Sequence, residues 1–304
     1  MKHRGPERQQ FIVRYLEIDG KEIMVVHGFH RLCINGLNPK ADQPFHIEDT
    51  VFCTNGEVWN CEQLEQEMNY TNKSGSDCEC IAPYYRYCQN DFAKLVSKLD
   101  GDFGIGLFDL LDGKTYIARD RIGIRSLYYA IDSESNLFVA SELKGIPTDF
   151  TNVRAFPPGQ WACFDVSSGQ FNMHTYFTFY EKEKTIPKPL CHIRDLAKDE
   201  GYLAYCKKVE QSLIAAVKKR FMSDRPIGCI LSGGLDSTTV TAIACKLYRE
   251  MNPTGPPMRT YTIGLEGGED FKWARIAADH FGTDHHEFVI SEEDFLNAIP
   301  EVIQ

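Results

Sequence analysis

The chain has 304 residues and a formal net charge of −10 at pH 7, with 43% hydrophobic and 25% charged residues. This length can hold two domains, and the composition is typical of globular proteins. The negative charge argues against nucleic acid or an anionic membrane as a partner, and no apolar run is long enough to span a bilayer. A polar N-terminus without a signal peptide, and scattered cysteines without a Cys-x-x-Cys pair, favour a reducing cytoplasm.

Short apolar or alternating runs dominate the first half and predict strands. Asp112 and Gly113 lie between two of these runs and predict a hairpin turn of the primed type. Helices are expected over 61–68 and 80–98. Because the strands follow one another with few helices between them, an antiparallel α+β layered domain is expected rather than a βαβ fold. The predicted strands cover 23–26, 51–53, 103–111, 115–119, 127–130 and 137–140.

The second half has a different pattern. Residues 181–190 are charged and contain two prolines, so we predict a linker over 181–200 between a first domain, 1–180, and a second domain, 201–304. Beyond it, strands and amphipathic helices alternate, which indicates a parallel sheet with right-handed crossovers. Ligands in such sheets bind at the carboxyl ends of the strands. The predicted strands are 227–231, 260–263 and 287–290, and the predicted helices cover 201–221 and the segments after 235, 270 and 291. Gly282 is expected to end the helix that follows 270, and Ser291 and Asp294 are expected to form a capping box at the start of the last helix.

Residues 230–237, Ile-Leu-Ser-Gly-Gly-Leu-Asp-Ser, turn from a short apolar strand, which we expect to be buried, into a helix. A Gly-rich turn at a helix N-terminus binds anions through its outward N–H groups and the helix dipole. Ser232 and Ser237 add hydroxyl donors, and Asp236 suits a Mg²⁺ ion that bridges to phosphate. No lysine follows the glycines, so this is not the Gly-x-x-x-x-Gly-Lys-Ser/Thr loop. A plain strand–turn–helix with a serine cap is the alternative.

The Ser-Gly-Gly-Leu-Asp-Ser sequence at 232–237 resembles the pyrophosphate-binding loop of ATP pyrophosphatases, and most of all that of glutamine-hydrolysing asparagine synthetases. The first half is similar to the class II glutamine amidotransferase domain of that family. The resemblance covers nearly the whole chain. It implies an α+β layered antiparallel amidotransferase-like domain lacking its first strand, followed by an incomplete α/β parallel-sheet domain of the ATP-pyrophosphatase type. The first-half motifs that carry it are His3-Arg4-Gly5-Pro6, Arg31-Leu32, Asn55-Gly56-Glu57, Gly75-Ser76-Asp77, Gly101-Asp102-Phe103 and residues 118–125.

The same resemblance implies a glutamine site. Arg31 would hold the α-carboxylate, since a guanidinium fork matches a carboxylate. The Asn55 amide and the Gly56 N–H would form an oxyanion hole. Asp77 and the backbone from Asn55 to Glu57 would hold the α-ammonium and the side chain. Without that context, Asn55-Gly56 would be interpreted as a hairpin turn.

The resemblance also implies ATP and Mg²⁺ as cofactors. Aspartate would be adenylated by ATP, and ammonia from glutamine would displace AMP to give asparagine, with pyrophosphate released in the first step. Leu231, Ile263 and Gly264 would contact the nucleoside. The implied ATP-binding residues are Leu231, Ser232, Gly233, Gly234, Asp236, Ser237, Ile263 and Gly264, with Asp236 as the magnesium ligand.

Two departures from the family pattern limit this expectation. Class II amidotransferases use an N-terminal cysteine whose α-amino group is the base, whereas this chain opens with Met1 in a segment that aligns inside the family sequence. Gln304 precedes the family's second Ser-Gly-Glu-Gly-type loop and its catalytic lysine. We therefore expect the chain as given neither to hydrolyse glutamine nor to make asparagine. The alternatives are a β-lactam-synthetase-like enzyme, or a non-catalytic subunit that pairs with a second copy or with a companion synthetase chain.

Overall fold

The computed structural model describes residues 2–18, 20–179 and 199–303. The chain divides into two compact units, Met1–Thr185 and Ile186–Gln304. Most of the predicted linker, residues 181–198, lies outside the described residues. Within the described part of the chain, no helix has the length and apolar character needed to cross a membrane.

The first unit consists mainly of antiparallel strands, as the sequence predicted. Its helices are α1 (Cys61–Met68), α2 (Ile81–Tyr87) and α3 (Phe92–Lys98). Its strands in chain order are β1 (Arg8–Ile18), β2 (Lys21–Arg31), β3 (Phe45–Ile47), β4 (Thr50–Val58), β5 (Gly101–Asp109), β6 (Lys114–Arg119), β7 (Tyr128–Ile131), β8 (Leu137–Ala140), β9 (Arg154–Ala155), β10 (Gln160–Asp165) and β11 (Phe171–Thr175).

The central layer of the first unit is a six-stranded sheet with the order β11-β10-β6-β5-β4-β3. Neighbouring residues of β6 show how its two faces are covered, because side chains alternate along a strand. Tyr116 stacks on Phe92 of α3 with ring centroids 4.9 Å apart, whereas Ile117 packs with Leu127 and Phe156. Helices therefore cover one face, and the region of the three-stranded sheet β8-β7-β9 covers the other. Strands β1 and β2 form a separate ribbon.

Two local predictions for the first unit are wrong. The single helix expected over 80–98 is broken into α2 and α3, because Gln89 and Asn90 adopt left-handed backbone with φ of 60° and 63°. The hairpin between β5 and β6 closes with a four-residue loop, since Asp109 pairs with Lys114. Only Gly113 in that loop has positive φ, so the turn is not a two-residue primed turn, which needs positive φ within its two central residues.

The second unit alternates helices and strands. Its strands pair in parallel in the order β12-β13-β14, which confirms the predicted parallel sheet. The predicted caps are also present: Gly282 ends a helix in left-handed backbone with φ of 67°, and Asp294 and Ser291 form a capping pair. The elements are α4 (Glu200–Lys219), β12 (Gly228–Ile230), α5 (Leu235–Met251), β13 (Arg259–Leu265), α6 (Glu269–Phe281), β14 (Asp284–Ile290) and α7 (Glu292–Ile303).

The two faces of this parallel sheet differ in burial. Leu231, at the end of β12, is fully buried and packs with Ala274 and Ala278 of α6. On the opposite face, Ile230 is 78% exposed and Ile263 is 62% exposed. The expectation that the strand entering the loop is buried is therefore wrong for that face, because within the described residues the helix packing covers the other one.

Candidate functional site

A cavity of about 290 Å³ lies where β2 and β4 end in the first unit. The glutamine-site residues named from the sequence come from three separate segments, yet all of them line this one cavity. The antiparallel pairing of β4 with β5 and the short helix that begins at Asp77 bring them together. These residues are Arg31, Asn55, Gly56, Glu57 and Asp77.

Asn55 and Gly56 lie inside β4 and not in a turn, since they pair with Gly104 and Phe103 of β5. Gly56 has a φ of 150°, and a Cβ there would collide with the carbonyl oxygen of Asp102. Only glycine suits this backbone. The neighbouring Asn55 Nδ2 is buried and has no hydrogen-bond partner among the described residues. It is an available donor on the cavity wall.

Asp77 is anchored from two sides and is 7% exposed. The backbone N–H of Val58 donates to its Oδ2 at 2.7 Å, and Asn35 Nδ2 donates to its Oδ1 at 3.2 Å. Burial raises the pKa of Asp77, and the two hydrogen bonds oppose that rise. The carboxylate is thus held rigidly at the cavity with a fixed direction.

Glu57 is half-buried and accepts a hydrogen bond from Trp59 Nε1 at 3.3 Å. Burial raises the pKa of Glu57, and the nearby charges of Asp77 and Asp102 raise it further, whereas Trp59 and Arg125 lower it. Glu57 and Asp77 therefore place two acidic groups on the wall of the same cavity, and a bound cation such as an ammonium group would relieve their repulsion.

Arg31 lines the cavity, but its guanidinium is directed at the protein itself. Nη1 donates to Asp42 Oδ1 at 2.6 Å and to the Asn38 carbonyl at 3.1 Å. Nη2 donates to the carbonyls of Asn35 and Gly36 at 2.8 and 2.6 Å. The two-point fork that the resemblance assigned to a ligand carboxylate is engaged in shaping the wall over 35–42.

Two further polar residues of the cavity were not among the site residues named from the sequence. Arg125 lies on its wall, with Nε 3.0 Å from Asp102 Oδ2. It belongs to the 118–125 motif, to which the resemblance assigned no site role. His30 also lines the cavity, and its Nδ1 is buried without a hydrogen-bond partner in the described ranges. Its position directly before Arg31 was the available signal.

The loop of the second unit connects β12 to α5. Gly233 has a φ of 79°, and a Cβ there would lie 2.5 Å from the Cβ of Trp273. Gly234 is the N-cap residue of α5. The hydroxyls of Ser232 and Ser237 are 3.0 Å apart, which closes the loop on itself. The loop therefore combines a glycine packed against α6 with a helix N-terminus, the arrangement suited to binding phosphate.

The remaining predicted nucleotide residues are placed differently. The Leu231 side chain is fully buried, so only its backbone can reach a ligand. Ile263 exposes its side chain near the end of β13, and Gly264 packs close to Phe271. Asp236 is exposed in the first turn of α5. No cluster of three or more His, Cys, Asp or Glu suited to a metal exists in the described residues.

Comparison with known proteins gives a family match in each of the two units. Residues 1–156 match the glutamine amidotransferase domain family, and residues 208–304 match the asparagine synthase family. Glutamine-hydrolysing asparagine synthetase 1 of Arabidopsis thaliana is 34% identical over 312 residues, covering 100% of this chain and 48% of that protein. The Gallus gallus enzyme is 31% identical over 313 residues, covering 99% and 54%. The chain spans about half the length of these curated relatives.

Among solved structures, glutamine phosphoribosylpyrophosphate amidotransferase from B. subtilis complexed with ADP and GMP aligns with 14% identity and a TM-score of 0.41, covering 86% of this chain and 66% of that one. The family match over the first half and the relatives along the whole length agree with each other. The chain belongs to the family of glutamine-hydrolysing asparagine synthetases, with a glutamine amidotransferase domain followed by an asparagine synthase domain.

Proposed function

We propose that the chain binds glutamine in the first-unit cavity and ATP at the loop of the second unit, as two sites for ATP-dependent amidation of aspartate. The glutamine-binding part of this proposal depends on one observation. Asn55 Nδ2 is buried, has no hydrogen-bond partner among the described residues, and lies beside Gly56 on the cavity wall. A buried amide donor without a partner is costly. A ligand oxygen, such as that of a glutamine side-chain amide, would satisfy it.

The charges of the cavity set the orientation of the ligand. Asp77 and Glu57 favour the α-ammonium group of an amino acid. The side-chain amide oxygen would then accept from Asn55. Arg31 already donates four hydrogen bonds to protein oxygens. In the proposal Arg31 therefore stabilises the cavity wall and does not bind the α-carboxylate through a bidentate contact.

Cys78 also lines the cavity, and its chemistry argues against a nucleophilic role. Its Sγ lies 3.6 Å from Asp77 Oδ2 and 3.7 Å from the Gly56 carbonyl oxygen. Burial raises the pKa of the Cys78 thiol well above its usual range, and the Asp77 charge adds to this. The reactive form of a cysteine is the thiolate. The proposal is therefore glutamine binding without attack by Cys78.

The second site would hold the phosphates of ATP. The N-terminus of α5 and the hydroxyls of Ser232 and Ser237 supply donors for the pyrophosphate portion. Mg²⁺ keeps several waters and binds proteins through one or two carboxylates together with substrate phosphates. The single carboxylate of Asp236 fits that pattern. In the proposed reaction the aspartate carboxylate displaces pyrophosphate from ATP, and ammonia, supplied free in solution or by a glutamine-hydrolysing companion chain, then displaces AMP from the acyl-adenylate to give asparagine.

Calorimetric titration of the full chain with L-glutamine tests the first site. Asn55→Ala removes one hydrogen bond to the ligand and should weaken glutamine binding about tenfold. Asn172→Ala, which changes an exposed asparagine on β11, should leave the affinity unchanged. Equal glutamine affinity in wild type and Asn55→Ala would refute the assignment.

The proposal includes a cytoplasmic location, since none of the ten described cysteines forms a disulfide and thiols stay reduced there. It also includes association with a second copy or with a companion synthetase chain. Light scattering of the purified chain, alone and mixed with a full-length relative, checks both forms of association. A monomer under both conditions would remove association from the proposal.

A further inference from the structure

The peptide bond that enters the phosphate loop is held at both ends. The Leu231 carbonyl accepts a hydrogen bond from the Thr262 hydroxyl. The Ser232 N–H donates to Ser237 Oγ at 3.3 Å, and the Leu231 N–H donates to the Tyr261 carbonyl at 2.8 Å. The plane of this peptide fixes where the loop begins, so the Thr262 hydroxyl contributes directly to loop geometry.

The direction of the Thr262 hydrogen bond determines which ring nitrogen of the neighbouring His285 carries a proton. A hydroxyl has one proton, and that proton goes to the Leu231 carbonyl. The second neighbour of Thr262 Oγ is His285 Nε2 at 3.4 Å, so this nitrogen must be the donor. His285 is then protonated at Nε2, and its Nδ1 accepts from the Thr260 hydroxyl at 2.9 Å.

One further link completes the series. Thr260 Oγ lies 2.8 Å from Thr283 Oγ. Because the Thr260 proton goes to His285, the Thr283 hydroxyl is the donor between these two threonines, at a distance shorter than the 3.5 Å to its other acceptor, the Ala278 carbonyl. The result is a one-way series of hydrogen bonds, from Thr283 through Thr260, His285 and Thr262 to the Leu231 carbonyl, with the imidazole as its central member.

The surroundings of His285 favour the neutral ring that this series needs. Its side chain is 1% exposed. Burial lowers the pKa of His285, and the charges of Arg275 and His286 lower it further, whereas Glu287 and Asp279 oppose them. Glu287 lies 3.8 Å from Nε2, but Arg275 binds that carboxylate at 2.8 Å and neutralises it.

We propose that His285 is a positioning residue for the phosphate loop: its Nε2–H holds the Thr262 hydroxyl on the Leu231 carbonyl and so fixes the peptide that begins the nucleotide site. The effect of this positioning on ligand binding rests on the proposed ATP site. The positioning itself is a property of the protein without ligand, and it is measured separately.

The experiment uses the full chain with ¹⁵N-labelled histidine. The nitrogen chemical shifts at pH 7 should show His285 as a neutral ring protonated at Nε2. Thr262→Val should speed amide hydrogen exchange at Ser232 and Gly233 about tenfold, the effect of losing one net hydrogen bond. Thr262→Ser keeps the hydroxyl and should restore the wild-type rate. Thr241→Val, which changes an equally buried threonine on α5, should leave the loop rates unchanged.

Binding of magnesium–ATP to the same variants then tests the consequence. Thr262→Val should bind about tenfold more weakly than wild type, and Thr262→Ser as tightly as wild type. An Nδ1-protonated or cationic His285, or loop exchange that Thr262→Val leaves unchanged, would overturn the positioning role. A wild-type chain that shows the expected tautomer and exchange rates but binds no ATP supports the positioning role and contradicts the proposed ATP site instead.

Discussion

Substitution of Gly56 by alanine is the sharpest test of how the cavity is built. Gly56 has a φ of 150°, and an added Cβ would strike the carbonyl oxygen of Asp102 on the neighbouring strand. Backbone of this kind costs roughly 1–3 kcal/mol for a residue with a side chain. The collision with backbone atoms adds to that, since a strand in the middle of a sheet cannot move away freely. We expect a total loss of about 3 kcal/mol from the free energy of unfolding.

For a unit of this size, about 3 kcal/mol corresponds to a fall of roughly 6–12 °C in the unfolding midpoint. Tryptophan fluorescence in a Trp273→Phe background reports on the first unit, because the remaining tryptophans, Trp59 and Trp161, both lie there. Gly106→Ala is the matched control, since a Cβ at Gly106 on β5 meets no atom within 4 Å. A Gly56→Ala midpoint within about 2 °C of that control would refute the steric reasoning.

Three further outcomes are expected. Arg86→Met should cost about 3–5 kcal/mol, because it leaves Asp109, whose side chain is 1% exposed, without the guanidinium 2.6 Å away. Burial raises the pKa of Asp109, but the hydrogen bonds from Arg86, the Leu111 N–H and Tyr85, together with the Arg86 charge, outweigh burial and hold the pKa below its usual value. The stabilisation is therefore present at neutral pH and is lost as the pH falls through the range of carboxyl titration. In urea unfolding, the difference in free energy of unfolding between wild type and Arg86→Met should become smaller in acid. A difference that does not change with pH would contradict this. Gly233→Ala should abolish ATP binding, since its Cβ would lie 2.5 Å from Trp273. Gly234→Ala, with φ of −69° and ordinary contacts, should fold and keep a loop of normal shape. An ATP titration in which Gly234→Ala weakens binding more than Gly233→Ala would disprove the loop geometry. Asp236→Asn should weaken ATP binding in the presence of Mg²⁺ and leave it unchanged in EDTA, and an equal loss under both conditions would exclude a magnesium role.

The accuracy of the sequence predictions depended on whether the deciding interactions were local. Helix α1 and strand β8 occur where periodicity placed them, and Gly282 ends its helix as expected. These features depend on residues close in sequence. The break between α2 and α3 was missed because Gln89 and Asn90 carry no proline or glycine signal, although asparagine tolerates left-handed backbone better than most residues.

The candidate site shows the same difference between features set by local interactions and features set by long-range interactions. The resemblance named residues from distant segments, and the structure gathers five of them around one cavity. It gave no indication that the Arg31 fork would be occupied by Asp42 and three carbonyls, because those partners depend on the path of a loop. The series of hydrogen bonds through His285 was equally invisible, since it joins residues that only strand pairing brings together.

The most direct test of the central claim is a crystal structure of the full chain with L-glutamine bound. We expect the side-chain amide oxygen within hydrogen-bond distance of Asn55 Nδ2 and the α-ammonium beside Asp77, with Arg31 still bound to Asp42. Glutamine bound elsewhere, or bound with its α-carboxylate against Asn55, would contradict the proposed site.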